Sequence, residues 1–298
     1  MKISILNQKT EVLDKAWEGK PFSLTKDRWE YTLSYEESDY ILCPLDYLNV
    51  NNDFKKIIST DEYKKYGHKF VSVFMHDDPH AAYLEKKSIK INCQPLYPSD
   101  TNQAYNNIIA PLHMRHFDYE LQKDKSLISF CRSAEKKYDF VFIGQVAYAN
   151  RGWLASLNGQ ENFLYKETNP IFGISDLKTR VDIMKEFCKN VSQAKYSFCP
   201  RGIGTSSFRL YQSLMVGSVP IVWGQKEYPF SDQIDWEKIV IDITDKIDYK
   251  KAVLDFVNNI SEDEYLEMRD RGIEAWDNYL SCEKADQTIC KILEFKLK

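Results

Sequence analysis

Short, almost uninterrupted apolar segments alternate with longer segments of helical periodicity along most of this 298-residue chain. Segments such as Tyr138–Ile143 and Val219–Trp223 are typical of strands that are buried on both faces of a parallel sheet. Between such segments, Leu177, Met184 and Val191 belong to one apolar face of a helix. The alternation predicts an α/β fold in which helices connect parallel strands by right-handed crossovers.

The predicted strands and helices cover both halves of the chain. The strands are Lys2–Leu6, Tyr40–Leu45, Lys69–Met75, Ile89–Cys93, Ile108–Ala110, Tyr138–Ile143, Asn162–Tyr165, Tyr196–Cys199, Val219–Trp223 and Ile239–Ile241. The helices are Asp53–Lys65, Asp176–Gln193, Thr205–Val216, Tyr249–Asn259, Glu262–Leu280 and Glu283–Lys296. The charged segment Arg132–Lys137 carries little apolar surface and predicts a domain boundary between 1–133 and 134–275, with 276–298 packing back on the first domain.

The composition excludes several classes of protein. Apolar residues make up 43% of the chain, which supplies a core and excludes a largely disordered protein. The net charge of −4 argues against a general nucleic-acid-binding surface. Seven cysteines without a C-x-x-C pair indicate reduced thiols and no zinc cluster. The absence of a signal-peptide core and of a long apolar span predicts a cytoplasmic protein without a membrane anchor, while peripheral membrane contact and the oligomeric state stay open.

The most informative stretch, Ala194–Tyr211, has the pattern of a strand, a glycine loop and the start of a helix. Gly202 and Gly204 let the backbone approach a ligand closely. Thr205 or Ser206 is expected to cap the helix, whose N-terminus attracts anions. The loop therefore predicts an anion site.

Two cations, Arg201 and Arg209, flank this loop, and the combination is suited to a nucleoside diphosphate. Two common motifs are excluded, because Gly204 is followed by Thr205 rather than a P-loop lysine, and Ser207 replaces the third glycine of a dinucleotide fingerprint. From the loop alone, a glycine turn with a capped helix and two solvated arginines remains the alternative.

The continuation of this stretch resembles the donor-binding region of the exostosin-like glycosyltransferases. From Lys195 to Trp236 the shared elements are a strand ending in Phe-Cys, a Pro-x-Gly loop, Ser and Arg on the helix, a Gly-x-x-Pro turn, a Pro-Phe pair and an Asp-Trp pair. Weaker similarity covers Asp39–Leu45, Phe74–Pro79 and the element formed by Phe142–Gly144 with Arg151. The resemblance is thus specific around the glycine loop and diffuse elsewhere.

This resemblance implies a GT-B fold, in which two Rossmann-like domains with parallel sheets face each other across a cleft. The domain 1–133 would bind the acceptor, and the domain 134–275 would bind the nucleotide sugar. The implied activity is an inverting transfer of a sugar from a nucleoside diphosphate sugar to a hydroxyl group of a glycan or glycoconjugate. UDP is the expected carrier, of a sugar such as xylose, glucuronic acid, galactose or N-acetylglucosamine.

The expected donor site combines the glycine loop with residues of other strands. Its expected members are Arg201, Gly202, Gly204, Thr205, Ser206, Ser207, Arg209, Gln212, Gly144, Arg151 and Glu227. Gln212 stands where the family often has an acid that receives ribose hydroxyls, and an amide can both donate and accept such bonds. Glu227 is a second candidate for sugar or ribose hydroxyls, with a solvated loop acid as the alternative.

The catalytic base is expected in the first domain, after a predicted strand, at His76, Asp77 or Asp78. The alternative is a polar turn in which an aspartate caps the next helix. His80 lies four residues after His76, but Pro79 disfavours the helix that would align them on a metal. We expect the arginines and the helix N-terminus to stabilise the leaving diphosphate, without an essential metal or other cofactor.

Two alternatives to this function stay open. One is a fucosyltransferase-like GT-B enzyme that uses a GDP-sugar, since such proteins share the strand–loop–helix plan. The other is a non-catalytic protein of the same fold that binds a nucleotide or a glycan, and Gln212 is the residue that keeps it open.

Overall fold

The structure is a computed structural model, and it describes residues 2–5, 30–43, 59–74, 89–92, 107–111, 120–147, 151–159, 162–169, 174, 176–202, 206–225 and 227–296. The described part of the chain consists mainly of two parallel sheets and of helices that connect or follow their strands. The α/β class with parallel sheets, predicted from the apolar segments, is confirmed.

The first sheet has six strands in the described residues, and all its pairings are parallel. Its strands are β1 (Lys2–Ile5), β2 (Glu30–Tyr31), β3 (Tyr40–Cys43), β4 (Phe70–Phe74), β5 (Ile89–Asn92) and β6 (Asn107–Ile109). The order across the sheet is β2-β1-β3-β4-β5-β6. Ile3, Ile41 and Val71, on three neighbouring strands, are fully buried, which explains their apolar character.

The second sheet has five strands among the described residues, again all parallel. They are β7 (Tyr138–Gly144), β8 (Phe163–Glu167), β9 (Ala194–Pro200), β10 (Val219–Trp223) and β11 (Ile241–Asp242), in the order β11-β10-β9-β7-β8. The central strands β9 and β10 are buried along nearly their whole length, whereas β8 at one edge exposes its last residues. Burial on both faces is what produces the uninterrupted apolar segments in the sequence.

The described α-helices are α1 (Asp61–Tyr66), α2 (Lys125–Arg132), α3 (Leu177–Ser192), α4 (Phe208–Val216), α5 (Tyr249–Asn259), α6 (Glu262–Ala275) and α7 (Cys282–Lys296). Several begin at an acid or serine whose side chain accepts a bond from the first turn. In α3, Asp176 accepts from Thr179, and in α6 Ser261 and Glu264 form a capping box. The helix predicted over 262–280 is an α-helix over Glu262–Ala275 and continues as a π-helical segment, Trp276–Leu280.

The contacts divide the chain into two compact units. The first consists of Met1–His116, Lys226–Phe230 and Cys282–Lys298, and the second consists of Phe117–Gln225 and Ser231–Ser281. In the first unit, the Tyr40 hydroxyl donates a 2.7 Å hydrogen bond to the carbonyl of Leu293, which joins β3 to α7.

In the second unit, Arg132 connects three segments. Its Nε donates to the carbonyl of Met215 on α4 at 3.0 Å, and its two Nη atoms bind the Asp277 carboxylate at 2.8 Å. These bonds tie α2 to α4 and to the π-helical segment. By contacts α2 therefore groups with the second unit, whereas the boundary predicted from the sequence places it before residue 134.

No helix among the described residues is both long and apolar enough to cross a membrane.

Candidate functional site

The second sheet has a topological switch point between β7 and β9. From β7 the chain continues to β8 on one side, and it then crosses over to β9 on the other side of β7. In an open parallel sheet such a reversal leaves a crevice outside the carboxyl ends of the two strands, where ligands bind. Gly144 ends β7 and Pro200 ends β9, so the segments that follow them border this crevice.

Arg209, on the first turn of α4, lies against the end of β7. Its Nε donates a 2.9 Å hydrogen bond to the carbonyl of Ile143, and its guanidinium carbon stands 5.6 Å from the centre of the Phe142 ring. A Cβ atom on Gly144 would lie 2.6 Å from that guanidinium carbon. Glycine at 144 is therefore required so that the arginine can occupy its position.

Arg151 connects the segments that follow β7 and β9. Its Nη1 donates to the carbonyl of Gln145 at 2.8 Å, and its Nη2 donates to the carbonyls of Pro200 and Arg201. The residue is only 5% exposed, and its Nε has no hydrogen-bond partner within the described parts of the chain. Arg151 thus joins the two sides of the switch point through backbone carbonyls and keeps one buried donor unused.

Arg201 follows β9 and rests on the turn after β10. Its backbone N–H donates to the carbonyl of Trp223 at 3.3 Å, and its Cδ lies 2.6 Å from the point where a Cβ of Gly224 would stand. Gly224 has a φ of +80°, a left-handed conformation that glycine adopts without strain. A side chain at 224 would therefore be unfavourable both for the backbone and for the stem of Arg201.

The three arginines have no carboxylate partner within the described part of the chain. None of Arg151, Arg201 and Arg209 forms a salt bridge with a carboxylate of the described residues. Burial, followed by the charge of Arg209, lowers the pKa of Arg151 to about 10, and burial lowers the pKa of Arg209. An arginine side chain keeps its charge at neutral pH. The crevice therefore carries positive charges that repel each other and that a bound polyanion would offset.

The start of α4 lies beside these arginines. The helix begins at Phe208, and Ser207 occupies the N-cap position without a side-chain cap hydrogen bond. The prediction that the helix begins at Thr205 is therefore wrong. The backbone N–H of Gly202 instead donates to the carbonyl of Ser206 at 3.3 Å, so Ser206 belongs to the closed loop before the helix. Ser206 and Ser207 are both almost completely buried.

The structure brings together part of the predicted donor site. Seven of its residues lie together at the ends of β7 and β9 and at the start of α4. They are Gly144, Arg151, Arg201, Gly202, Ser206, Ser207 and Arg209. Gln212 also lies on α4 but is only 4% exposed. Glu227 groups with the first unit. The remaining predicted site residues lie outside the described residues, namely His76, Asp77, Asp78, Gly204 and Thr205.

Two residues at this edge of the sheet were not predicted from the sequence. Gly224 follows Trp223 at the end of β10, and Thr244 follows the short strand β11. Thr244 Oγ1 accepts a 3.0 Å hydrogen bond from the N–H of Gly224. A glycine directly after a buried strand was the available signal for the first, whereas the sequence around Thr244 carries none.

Comparisons with known proteins give one local sequence match. No family model matches the chain. A stretch of 95 residues, 32% of this chain, is 33% identical to a probable glucuronosyltransferase, GUT1, of Oryza sativa subsp. japonica. The matched stretch spans 20% of that protein, so the similarity covers about a fifth of its length.

The solved structures give a distant likeness over most of the chain. A variant of S. aureus TarM, described in complex with Fondaparinux, alpha-GlcNAc-glycerol and UDP, is 14% identical with a TM-score of 0.46, covering 85% of this chain and 55% of TarM. Anabaena Alr3699/HepE, described in complex with UDP and glucose, is 8% identical with a TM-score of 0.47, covering 98% and 99% of the two chains. The strand order of the two parallel sheets defines the α/β fold of this chain.

Proposed function

We propose that this chain is a glycosyltransferase that transfers a sugar from a nucleoside diphosphate sugar to a hydroxyl group of a glycan or glycoconjugate. The observation that carries the proposal is the group of three arginines at the switch point of the second sheet, none of which pairs with an acid of the described residues. A diphosphate is an anion of suitable charge for this group. The exostosin-like pattern between Lys195 and Trp236 supports the same reading, as does the local similarity to a probable glucuronosyltransferase.

The proposed reaction inverts the anomeric carbon in one displacement. A base removes the proton of the acceptor hydroxyl, whose oxygen forms the new bond to the anomeric carbon. The bond between that carbon and the diphosphate oxygen breaks, and the leaving diphosphate gains one negative charge. Arg201 and Arg209 would stabilise this developing charge, because Arg209 uses only its Nε, toward the Ile143 carbonyl, and no described residue accepts a bond from an Nη atom of either side chain. His76, Asp77 and Asp78 stay our candidates for the base.

The finer assignments belong to this proposal as well. We take the two units to be the halves of a GT-B enzyme, with UDP as the carrier of the donor sugar. Since Arg201 and Arg209 would already stabilise the diphosphate, we expect transfer without an essential divalent metal. We also propose that the enzyme is soluble and that it acts in the cytoplasm on a glycan acceptor.

The test is a donor screen on the purified chain. UDP-xylose, UDP-glucuronic acid, UDP-galactose, UDP-N-acetylglucosamine and GDP-fucose would each be assayed for hydrolysis and for transfer, with and without a chelator. Turnover of a UDP-sugar that the chelator leaves unchanged is the expected result. Turnover of GDP-fucose alone would favour the fucosyltransferase-like alternative. Binding of a nucleotide without turnover of any donor would replace the enzyme by a nucleotide-binding protein.

A further inference from the structure

The backbone and the side-chain stem of Arg201 are held by their neighbours, whereas no residue that the structure describes forms a hydrogen bond with its guanidinium. Its carbonyl accepts from Arg151, its N–H donates to Trp223, and its side-chain stem lies against Gly224. The position of the guanidinium therefore depends on where the Gly224 turn stands. Whatever fixes this turn also fixes the direction in which Arg201 presents its donors.

The Thr244 hydroxyl fixes that turn from the neighbouring strand. Thr244 Oγ1 accepts from the N–H of Gly224 at 3.0 Å and donates to the carbonyl of Gln225 at 3.4 Å. One hydroxyl thus binds both polar groups of the turn, a donor and an acceptor. The backbone N–H of Thr244 in turn donates to the Asp242 carboxylate at 2.8 Å, which fixes the residue at the end of β11.

From this chain of contacts we infer that Thr244 is a positioning residue for the diphosphate site and acts through the Gly224 turn on Arg201. This inference rests on the proposed function, because it assigns Arg201 to the diphosphate. Thr244 is not expected to touch the ligand. Without its hydroxyl, the Gly224–Gln225 turn loses two hydrogen bonds and the stem of Arg201 loses its fixed support.

The experiment measures the dissociation constants of UDP and of inorganic pyrophosphate by calorimetry. Thr244→Val keeps the shape of the side chain and removes the hydroxyl, whereas Thr244→Ser keeps the hydroxyl. We expect Thr244→Val to lower the affinity for both ligands by about five- to tenfold, whereas Thr244→Ser should keep most of the native affinity. The matched control is Thr288→Val, which removes a threonine hydroxyl bonded at 2.8 Å to the Lys284 carbonyl in α7.

A second set of variants separates positioning from a general loss of stability. In an Arg201→Ala background, Thr244→Val should have no further effect on the affinity for either ligand, because its route to the ligand is gone. The inference about Thr244 is overturned if Thr244→Val weakens ligand binding equally in both backgrounds, or if it does not weaken binding in the native background. Either result leaves the proposed function intact. A native protein that binds neither UDP nor pyrophosphate overturns the proposed function together with it.

Discussion

The guanidinium of Arg209 occupies the space that a side chain at Gly144 would need, with its central carbon 2.6 Å from the position of that Cβ atom. One residue at the end of β7 therefore permits a cation from α4 to reach the switch point of the sheet. The same principle holds across the crevice, where the stem of Arg201 lies against Gly224. The two glycines make room for the two arginines that we assign to the diphosphate.

Gly144→Ala should weaken ligand binding more than it weakens the fold. The added methyl group displaces the flexible end of Arg209 from the carbonyl of Ile143, so we expect UDP affinity to fall about tenfold. The free energy of unfolding should fall by no more than about 2 kcal/mol. Calorimetry and urea unfolding measure the two effects.

Gly152→Ala is the matched control for that substitution, since a Cβ atom at 152 would meet nothing within 4 Å. It should leave the free energy of UDP binding and the free energy of unfolding within about 0.5 kcal/mol of the native values. An equal loss of affinity in the two variants would show that Arg209 does not depend on the space at 144.

Arg151→Lys should destabilise the second unit although it keeps the charge. A lysine has a single ammonium group and cannot bind the carbonyls of Gln145 and Arg201 with the fork of a guanidinium. We expect the free energy of unfolding to fall by about 1–3 kcal/mol, with weaker UDP binding. Native stability in urea for this variant would contradict the role of Arg151 as the connection between the two strand ends.

Tyr265→Phe should stabilise the protein. Tyr265 is 2% exposed, and its hydroxyl is buried without a hydrogen-bond partner in the described residues. Removing an unsatisfied buried hydroxyl should raise the free energy of unfolding by about 1 kcal/mol. Thermal and urea unfolding of the variant provide the check, and a clear loss of stability would mean that the hydroxyl has a partner.

Stability should decline in strongly alkaline solution through the buried tyrosines. Burial, with the nearby Glu262 and Asp139, raises the pKa of Tyr196 to about 12. In the unfolded chain this phenol loses its proton near its ordinary pKa of 10, while the folded protein retains it. The folded state then binds more protons between pH 10 and about 12, so the free energy of unfolding falls as the pH rises through this range.

Tyr196→Phe tests this pH dependence. We expect the variant to lose less stability than the native protein between pH 10 and 12, by up to about 2 kcal/mol. Parallel curves for the two proteins would exclude Tyr196 as a source of the decline.

The strands were predictable because burial on both faces leaves a direct pattern in the sequence. Each predicted strand matches a strand of the structure to within two residues, including the central pair β9 and β10. The strand Glu30–Tyr31 was missed, since two residues are too few to form a pattern. The start of α4 was misplaced because Thr205 and Ser206, the caps predicted from the sequence, are as suitable by residue type as Ser207, the observed cap.

The candidate site was predictable where its residues lie close to one another in the sequence. Arg201 and Arg209 flank one glycine loop, so a local pattern pointed to both. The bonds from Arg151 to the carbonyl of Arg201, and from Gly224 to Thr244, join segments that are distant in the chain. They follow from the strand order β11-β10-β9-β7, which no local pattern contains.

The central claim is that the arginines at the switch point hold the diphosphate of the donor. The most direct test is the dissociation constant of UDP for the native protein, for Arg209→Ala and for Arg271→Ala, an exposed arginine paired with Glu267 on α6. We predict that Arg209→Ala lowers the affinity for UDP by about tenfold or more, while Arg271→Ala leaves this affinity unchanged. Equal UDP affinity in the native protein and in Arg209→Ala would contradict the claim.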